Sequence, residues 1–267
     1  MAENSNLLAE QRRALILDEV RRRGGVRVNE LTRRLNVSDM TVRRDLDALA
    51  RQGMVEKVHG GAVPVLEAST HEPGFEAKTG WEPEAKEDIA RTAAALVRPG
   101  SAVALSAGTT THALARQLLR VQRLTVVTNS VRVADVFEDA RRRDRDGATV
   151  VLTGGIRTPS DALVGPLAEL ALRELHVDML FLGCHGIDPE AGLTTPNLAE
   201  ATTNRAWVAS AQEIVVLADS SKWGVVGLAD IGPLSLASVV VTDSKIPRDA
   251  LAALEDAVES VLVVDVP

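Results

Sequence analysis

Cysteine occurs once, at Cys184, so the chain has no intrachain disulfide. Aromatic residues make up 2% of its 267 residues and tyrosine is absent, which leaves the core to aliphatic side chains. No apolar run approaches the ~20 residues of a bilayer-spanning helix. The N-terminal stretch MAENSNLLAEQRRALILDEV lacks the apolar segment and small-residue cleavage site of a secretory signal. These absences argue against a disulfide-stapled secreted domain and a helical membrane protein. What is present, 45% hydrophobic and 25% charged residues, is the composition of a globular chain with one large domain or two smaller ones. A cytoplasmic location without membrane association is expected.

The net charge of −7 speaks against nucleic-acid binding until it is divided along the chain. Residues 1–62 hold 12 Lys and Arg against 9 Asp and Glu, a local +3, and the remainder carries −10. A basic head on an acidic body confines any phosphate-binding surface to the head.

From Gln11 to Arg23 the pattern is helical, with Ile16, Leu17 and Val20 on one face. Gly24–Val26 ends it, and a short helix follows through NELTRRLN, where Leu31 and Leu35 are one turn apart. NVS makes a tight turn, and Ser38 is a suitable N-cap for a third helix ending at Gly53. MVEKVHGGAVPV then reads as two short strands about a Gly-Gly turn. Residues 1–63 are therefore expected to form a winged helix-turn-helix, mainly α with a β-hairpin wing. Residues 64–84 show no periodicity and read as a linker. Residues 85–267 begin with a helix expected over Lys86–Val97. The apolar runs AVALS, LTVVTN, ATVVLTG, VDMLFLG, EIVVLAD, SVVVTD and SVLVVDV follow, mostly alternating with helical segments. That alternation predicts an α/β domain with a largely parallel sheet covered on both faces, with ligands at the carboxyl ends of its strands.

In the third helix Val42, Leu46 and Leu49 form the buried stripe. At about 100° per residue, Met40, Arg43, Arg44, Asp47 and Arg51 fall largely on the other side. Arg43 and Arg44 are candidates for guanine or phosphate contacts, and Ser38 and Thr41 near the helix start suit backbone phosphates. Lys57 and His59 can reach a phosphate from the wing. Paired arginines are equally compatible with a plain solvated face, and the pattern alone leaves both readings open. One small winged helix makes few phosphate contacts, so a homo-oligomer, dimer or tetramer, reading a repeated half-site is expected.

In the C-terminal region ALSAGTTTHALARQLL reads as a strand end, a small-residue turn and a helix start. Gly108, Thr109, Thr110 and Thr111 offer backbone N–H groups and hydroxyls where the helix dipole favours an anion. Asn129 and Ser130 open another helix directly after a strand. Gly154 and Gly155 permit close backbone approach, and Lys222 can supply a cation. Each is singly compatible with an ordinary cap or turn; their recurrence after successive strands favours a shared pocket.

VSDMTVRRDLDALARQGMVEKVHGGAV resembles the N-terminal signature of the DeoR family of bacterial transcriptional regulators. That signature runs V-S-x-M-T-I/V-R-R-D-L, then L-x-x-x-G, then a wing ending V-H-G-G-A. The resemblance continues through GTTTHALARQL, LTVVTNS, LTGGIR, LVGPLAE, FLGCHGID, GLTTPN and LADSSKWG, and so covers nearly the whole chain. It implies a regulator of double-stranded operator DNA, in particular a repressor. It also implies a C-terminal sensor domain similar in fold to sugar-phosphate isomerases, which binds phosphorylated metabolites, usually sugar phosphates.

The chain departs from the family at two places. Ser106 stands where the family commonly has the Asp of D-S-G-T-T-T, and His185 where it has the Asp of G-A-D-G. Carboxylates accept hydrogen bonds from sugar hydroxyls; Ser106 does so weakly, and His185 can donate instead. The expectation is a kept phosphate cradle with a rewritten polyol-reading half, suited to a more anionic or less hydroxylated ligand. The alternative is an isomerase-like enzyme with a DNA-binding appendage. The loss of both carboxylates argues against it, although His185, Asp188 and Glu200 remain as conceivable bases. Cys184, His185 and His112 show no paired ligand spacing, so neither a metal site nor a cofactor is expected.

Overall fold

The computed structural model describes residues 9–23, 25–51, 54–58, 60–64, 70, 72, 74–143 and 147–266. The chain divides into two compact units, Met1–Ala68 and Ser69–Pro267.

The first unit runs α1 (Ala9–Arg23), β1 (Val26–Arg27), α2 (Val28–Leu35), α3 (Asp39–Arg51), β2 (Val55–Val58) and β3 (Gly61–Pro64). Ile16, Val20, Leu31, Leu35, Val42, Leu46 and Leu49 make its core, as the helical stripes require. Asn36 ends α2 in the left-handed region at φ 51°, and Ser38 Oγ accepts from Thr41 N at 3.2 Å to start α3. The wing has one strand more than expected, because the two-residue β1 pairs with β3 and is too short to be read from periodicity. Gly61 makes that pairing possible, since a Cβ there would lie 2.0 Å from Val26 O. Arg12 donates to buried Asp45 Oδ2 at 2.5 Å and Oδ1 at 3.3 Å, tying α1 to α3. Residue 59, and the end of α3 expected at Gly53, lie outside the described residues.

The second unit opens with α4 (Phe75–Thr79) and α5 (Pro83–Ala94), followed by β4 (Ala102–Leu105), α6 (Thr109–Leu118), β5 (Thr125–Thr128) and α7 (Val131–Arg143). Then come β6 (Thr149–Leu152), β7 (Ile156–Arg157), β8 (Leu163–Val164), α8 (Pro166–Arg173) and β9 (Val177–Gly183). The chain continues through β10 (Gly186–Asp188), β11 (Gly192–Thr195), α9 (Leu198–Ser210) and β12 (Ala211–Leu217). It closes with β13 (Ala229–Gly232), β14 (Val239–Asp243), α10 (Arg248–Ala257) and β15 (Ser260–Val264).

The seven apolar runs form one parallel sheet in the order β15-β14-β12-β9-β4-β5-β6. Leu105 and Phe181 pack on one face with α5 and α6, while Leu180, Leu182 and Trp207 pack on the other, so both faces are buried. From β4 the chain moves to β5 on one side, and β9 joins it on the other. The carboxyl ends of β4 and β9 therefore flank a topological switch point, where α/β sheets leave a crevice. An antiparallel β10-β11-β13 sheet and a β7-β8 hairpin stand apart from it.

Three boundaries differ from the sequence reading, one being the expected helix end at Val97, which falls at Ala94. The helix expected at Lys86 starts at Pro83, because proline at the first helical position sacrifices no hydrogen bond. Within the expected linker, residues Phe75–Thr79 are helical, a single turn that carries no readable period. Phe75 is buried there and Phe75 N donates to Pro159 O at 3.3 Å. No described helix is long and apolar enough to cross a membrane.

Candidate functional site

On α3, Met40 is 67% exposed, and Arg43 and Arg44 are exposed on the same side, away from Val42, Leu46 and Leu49. Arg43 Nε donates to Asp39 at 2.9 Å, a solvent-screened pair that exchanges readily for a phosphate or base. Arg44 makes no ion pair among the described residues. Ser38 Oγ and Thr41 Oγ1 lie 2.8 Å apart at the helix start. Lys57 on the wing is exposed but bonded to Asp47 of α3. That hydrogen bond, ahead of the charges of Lys57, Arg51 and Arg43, holds Asp47 below the usual carboxylate range. The expected phosphate contact from Lys57 thus comes already occupied by a carboxylate, and that from His59 lies outside the described residues.

In the second unit a cleft lies at the switch point. Gly108, Thr109, Thr110 and Thr111 line it at the start of α6, where no side chain caps the helix. Thr111 Oγ1 turns back to Gly108 O at 3.0 Å, which leaves the first-turn N–H groups to serve an anion. Asn129 lines the cleft and braces it, accepting from Ala107 N at 2.9 Å and donating to Leu163 O at 3.0 Å. Cys184 and His185 enter from the end of β9, and Lys222 from the turn after β12. Burial pushes the Cys184 thiol up to about 12, so it stays protonated. His185 N donates to Thr194 O at 3.1 Å.

Four expected effector residues are not on the cleft lining. Ser106 is buried with its Oγ accepting from Gly183 N at 2.9 Å, so it stitches β4 to β9. Ser130 caps α7 through Val133 N at 3.2 Å. Gly154 and Gly155 shape the entry to the β7-β8 hairpin. At φ 125°, a Cβ on Gly155 would lie 2.6 Å from Val164 O, so its freedom serves packing of the chain on itself.

The cleft also gathers residues the sequence reading passed over. Lys78 and Lys86 join Lys222, so three of the chain's five lysines line one cleft in a protein otherwise rich in arginine. That scarcity was the available signal, since lysine supplies a compact point charge where arginine's fork does not fit. Lys86 is buried and donates to Lys78 O at 2.6 Å and to Trp81 O, leaving one of its three N–H groups. Burial pushes its pKa down to about 8; Lys222 and Lys78 act the same way, and Asp219 and Glu82 oppose them. Lys222 Nζ lies 5.6 Å from the Trp81 ring centroid. Burial raises the Asp219 carboxyl, but Lys222, Ser221 and Lys86 outweigh it and hold Asp219 ionised. Lys86, Lys222 and the open start of α6 meet on one wall of the cleft, an arrangement that favours a bound anion.

Another wall is acidic. Glu200 of α9 lines the cleft and accepts from Thr158 and Ser160 at Oε1 and from Thr195 at Oε2. Burial pushes its carboxyl above the usual range and Glu72 adds to this, against Ser160, Lys78 and Thr158. Glu72 in turn accepts from Asn197 Nδ2 at 2.7 Å. Among the described residues no group of three or more His, Cys, Asp or Glu is placed to hold a metal ion.

Residues 12–67 match the family model of the DeoR-like helix-turn-helix domain, and residues 81–244 match that of the DeoR C terminal sensor domain. The chain is 36% identical to the HTH-type transcriptional regulator GlpR of Haloferax volcanii, over 97% of this chain and 98% of that one. It is 32% identical to the glycerol-3-phosphate regulon repressor of Escherichia coli K12, over 92% and 95%. Among solved structures, ribose 5-phosphate isomerase A from Methanocaldococcus jannaschii is 20% identical over 53% of this chain and 54% of its own, at a TM-score of 0.39. That likeness is too slight to carry an inference. Matched in both units by family models, and by relatives above 30% identity across nearly its whole length, the protein belongs to the DeoR family of DNA-binding transcriptional regulators.

Proposed function

We propose that the protein is a cytoplasmic transcriptional repressor whose operator affinity is set by a phosphorylated metabolite held in the switch-point cleft. The observation that carries this is the meeting of Lys78, Lys86 and Lys222 with the uncapped start of α6. Arg43 and Arg44 enter the major groove from α3 in this reading, with Ser38, Met40, Thr41 and Lys57 on the same unit, and His59 of the wing sequence is proposed as a further phosphate contact. Control of DNA by ligand requires that the two favour different arrangements of the same protein. Supporting a repressor, the relative in Escherichia coli K12 is named for repression of a glycerol-3-phosphate regulon.

The cleft serves binding and not turnover. An isomerase needs a base beside the substrate, and the two strand-end carboxylates that the family commonly carries there are Ser106 and His185 in this chain. Self-association is part of the proposal, because one winged helix makes few phosphate contacts. Leu167 and Leu170 on α8, 68% and 58% exposed, are candidate contact residues. Calorimetric titration with inorganic phosphate and phosphorylated sugars, beside operator binding with and without each, tests the reading. Binding confined to phosphorylated compounds, with a changed operator affinity and no turnover, is expected. Tightest binding by an unphosphorylated sugar would overturn it, and a monomer with full operator affinity in light scattering would overturn the oligomer.

A further inference from the structure

Glu72 and residues 74–81 open the second unit, and they are held at both ends. At the near end Glu72 accepts from Asn197, the N-cap of α9, at 2.7 Å. Phe75 N donates to Pro159 O at 3.3 Å, and the Phe75 ring meets His112 of α6 edge-on, with 5.5 Å between centroids. Arg132 of α7, paired with Asp161, sits 5.2 Å from the Phe75 ring centroid and donates to Glu76 at 2.6 Å. At the far end the holders are cations of the cleft. Lys86 donates to the carbonyls of Lys78 and Trp81, and Lys222 Nζ lies over the Trp81 ring at 5.6 Å.

The ammonium groups that hold this segment are thus the ones that meet an anion at the start of α6. Lys86 has one N–H left after its two carbonyls, and a charged acceptor forms a stronger hydrogen bond than a carbonyl does. Turning Lys222 to an anion takes its charge from the indole face. Trp81 Nε1 is buried without a hydrogen-bond partner among the described residues, so the seated segment carries an unsatisfied donor that release would hydrate. Once the Trp81 end is free, one buried ring, one exposed ion pair and the Glu72 hydrogen bond remain. A single helical turn adds little to them.

We propose that this segment is a strap, unseated when an anion fills the cleft, and that its release lowers operator affinity. This rests on the phosphate-controlled, self-associating repressor read above. Seated, the strap fixes the chain leading from the wing at Glu72; released, the first fixed point is Pro83 at the start of α5. The longer tether lowers the effective concentration at which a second winged helix meets its half-site.

The test is amide exchange of the full chain, read by mass spectrometry over residues 74–81, with and without saturating inorganic phosphate at fixed pH. The amides of Phe75, Lys78 and Trp81 report seating, since they donate to Pro159 O, Gly74 O and Lys78 O. Phosphate should speed their exchange about fivefold or more, with α6 no faster. The double substitution Glu72→Ala and Glu76→Ala removes two holds, and neither residue is on the cleft lining. It should speed the same exchange without phosphate, lower operator affinity about threefold, and by linkage tighten phosphate binding. Loss of a merely structural support would not tighten it. Exchange unchanged or slowed by bound phosphate overturns the strap and leaves the phosphate reading standing. Weaker or unchanged phosphate binding in the double variant does the same. Failure of inorganic phosphate to bind in calorimetry overturns the phosphate reading, and the strap with it.

Discussion

Lys86, near the start of α5, holds the backbone carbonyl of Lys78 at 2.6 Å, and so ties the segment that opens the second unit to the cationic wall of the cleft. Because burial sets the Lys86 pKa at about 8, an anion bound beside it must raise that value and draw in a proton. Phosphate affinity is expected to fall as pH rises above about 8, by up to about tenfold per unit. Calorimetry in two buffers of different ionisation enthalpy should register proton uptake near pH 8. The folded value also lies below the ordinary 10.5, so the unfolded chain binds more protons between them. This group's contribution to stability therefore rises with pH across that window. Lys86→Met should weaken phosphate binding roughly tenfold or more and remove both dependences. A flat profile in wild type would refute the assignment.

Thr110→Asp sets a carboxylate at the open start of α6, against the anion the helix favours. Effector response should be lost while operator affinity without effector is retained. Gel-shift titrations with and without phosphorylated ligand measure both; intact ligand binding would show that the α6 start is only a helix terminus.

Arg44→Ala should cost about 1–3 kcal/mol of operator binding with the fold intact, the range of a lost base or phosphate contact. Asp47→Asn should act in the opposite direction. It frees Lys57 from its carboxylate partner, so affinity for random and operator DNA should both rise, with a salt dependence steeper by about one ion. Fluorescence anisotropy across a salt series reads both effects.

Asp45→Ala removes the buried carboxylate that Arg12, its side chain 12% exposed, and Arg13 both reach. Removing one member of such a buried pair costs about 3–5 kcal/mol, enough to unfold a small domain. Operator binding should fail at a temperature where calorimetry still detects phosphate binding. Equal loss of both would mean that the two units do not unfold separately.

Periodicity, caps and turn residues belong to neighbours in the chain, so the sequence by itself determined the local elements. The stripe of Val42, Leu46 and Leu49 dictated which side of α3 faces out, and seven Val- and Leu-rich runs dictated a buried parallel sheet. The small-residue turn before Thr109 marked an anion-suited helix start. One-turn α4 and two-residue β1 escaped, because neither is long enough to show a period. The composition of the cleft was decided by tertiary structure. Strand order brings the ends of β4, β9 and β12 together, and the packing of α4, α5 and α9 adds Lys78, Lys86 and Glu200 to Lys222. Proximity also reassigned residues of the expected chemical type: Ser106 to a backbone N–H of β9, Ser130 to a helix cap, Gly155 to a hairpin. A residue's type limits the bonds it can make, and its neighbours in space determine which of them it makes.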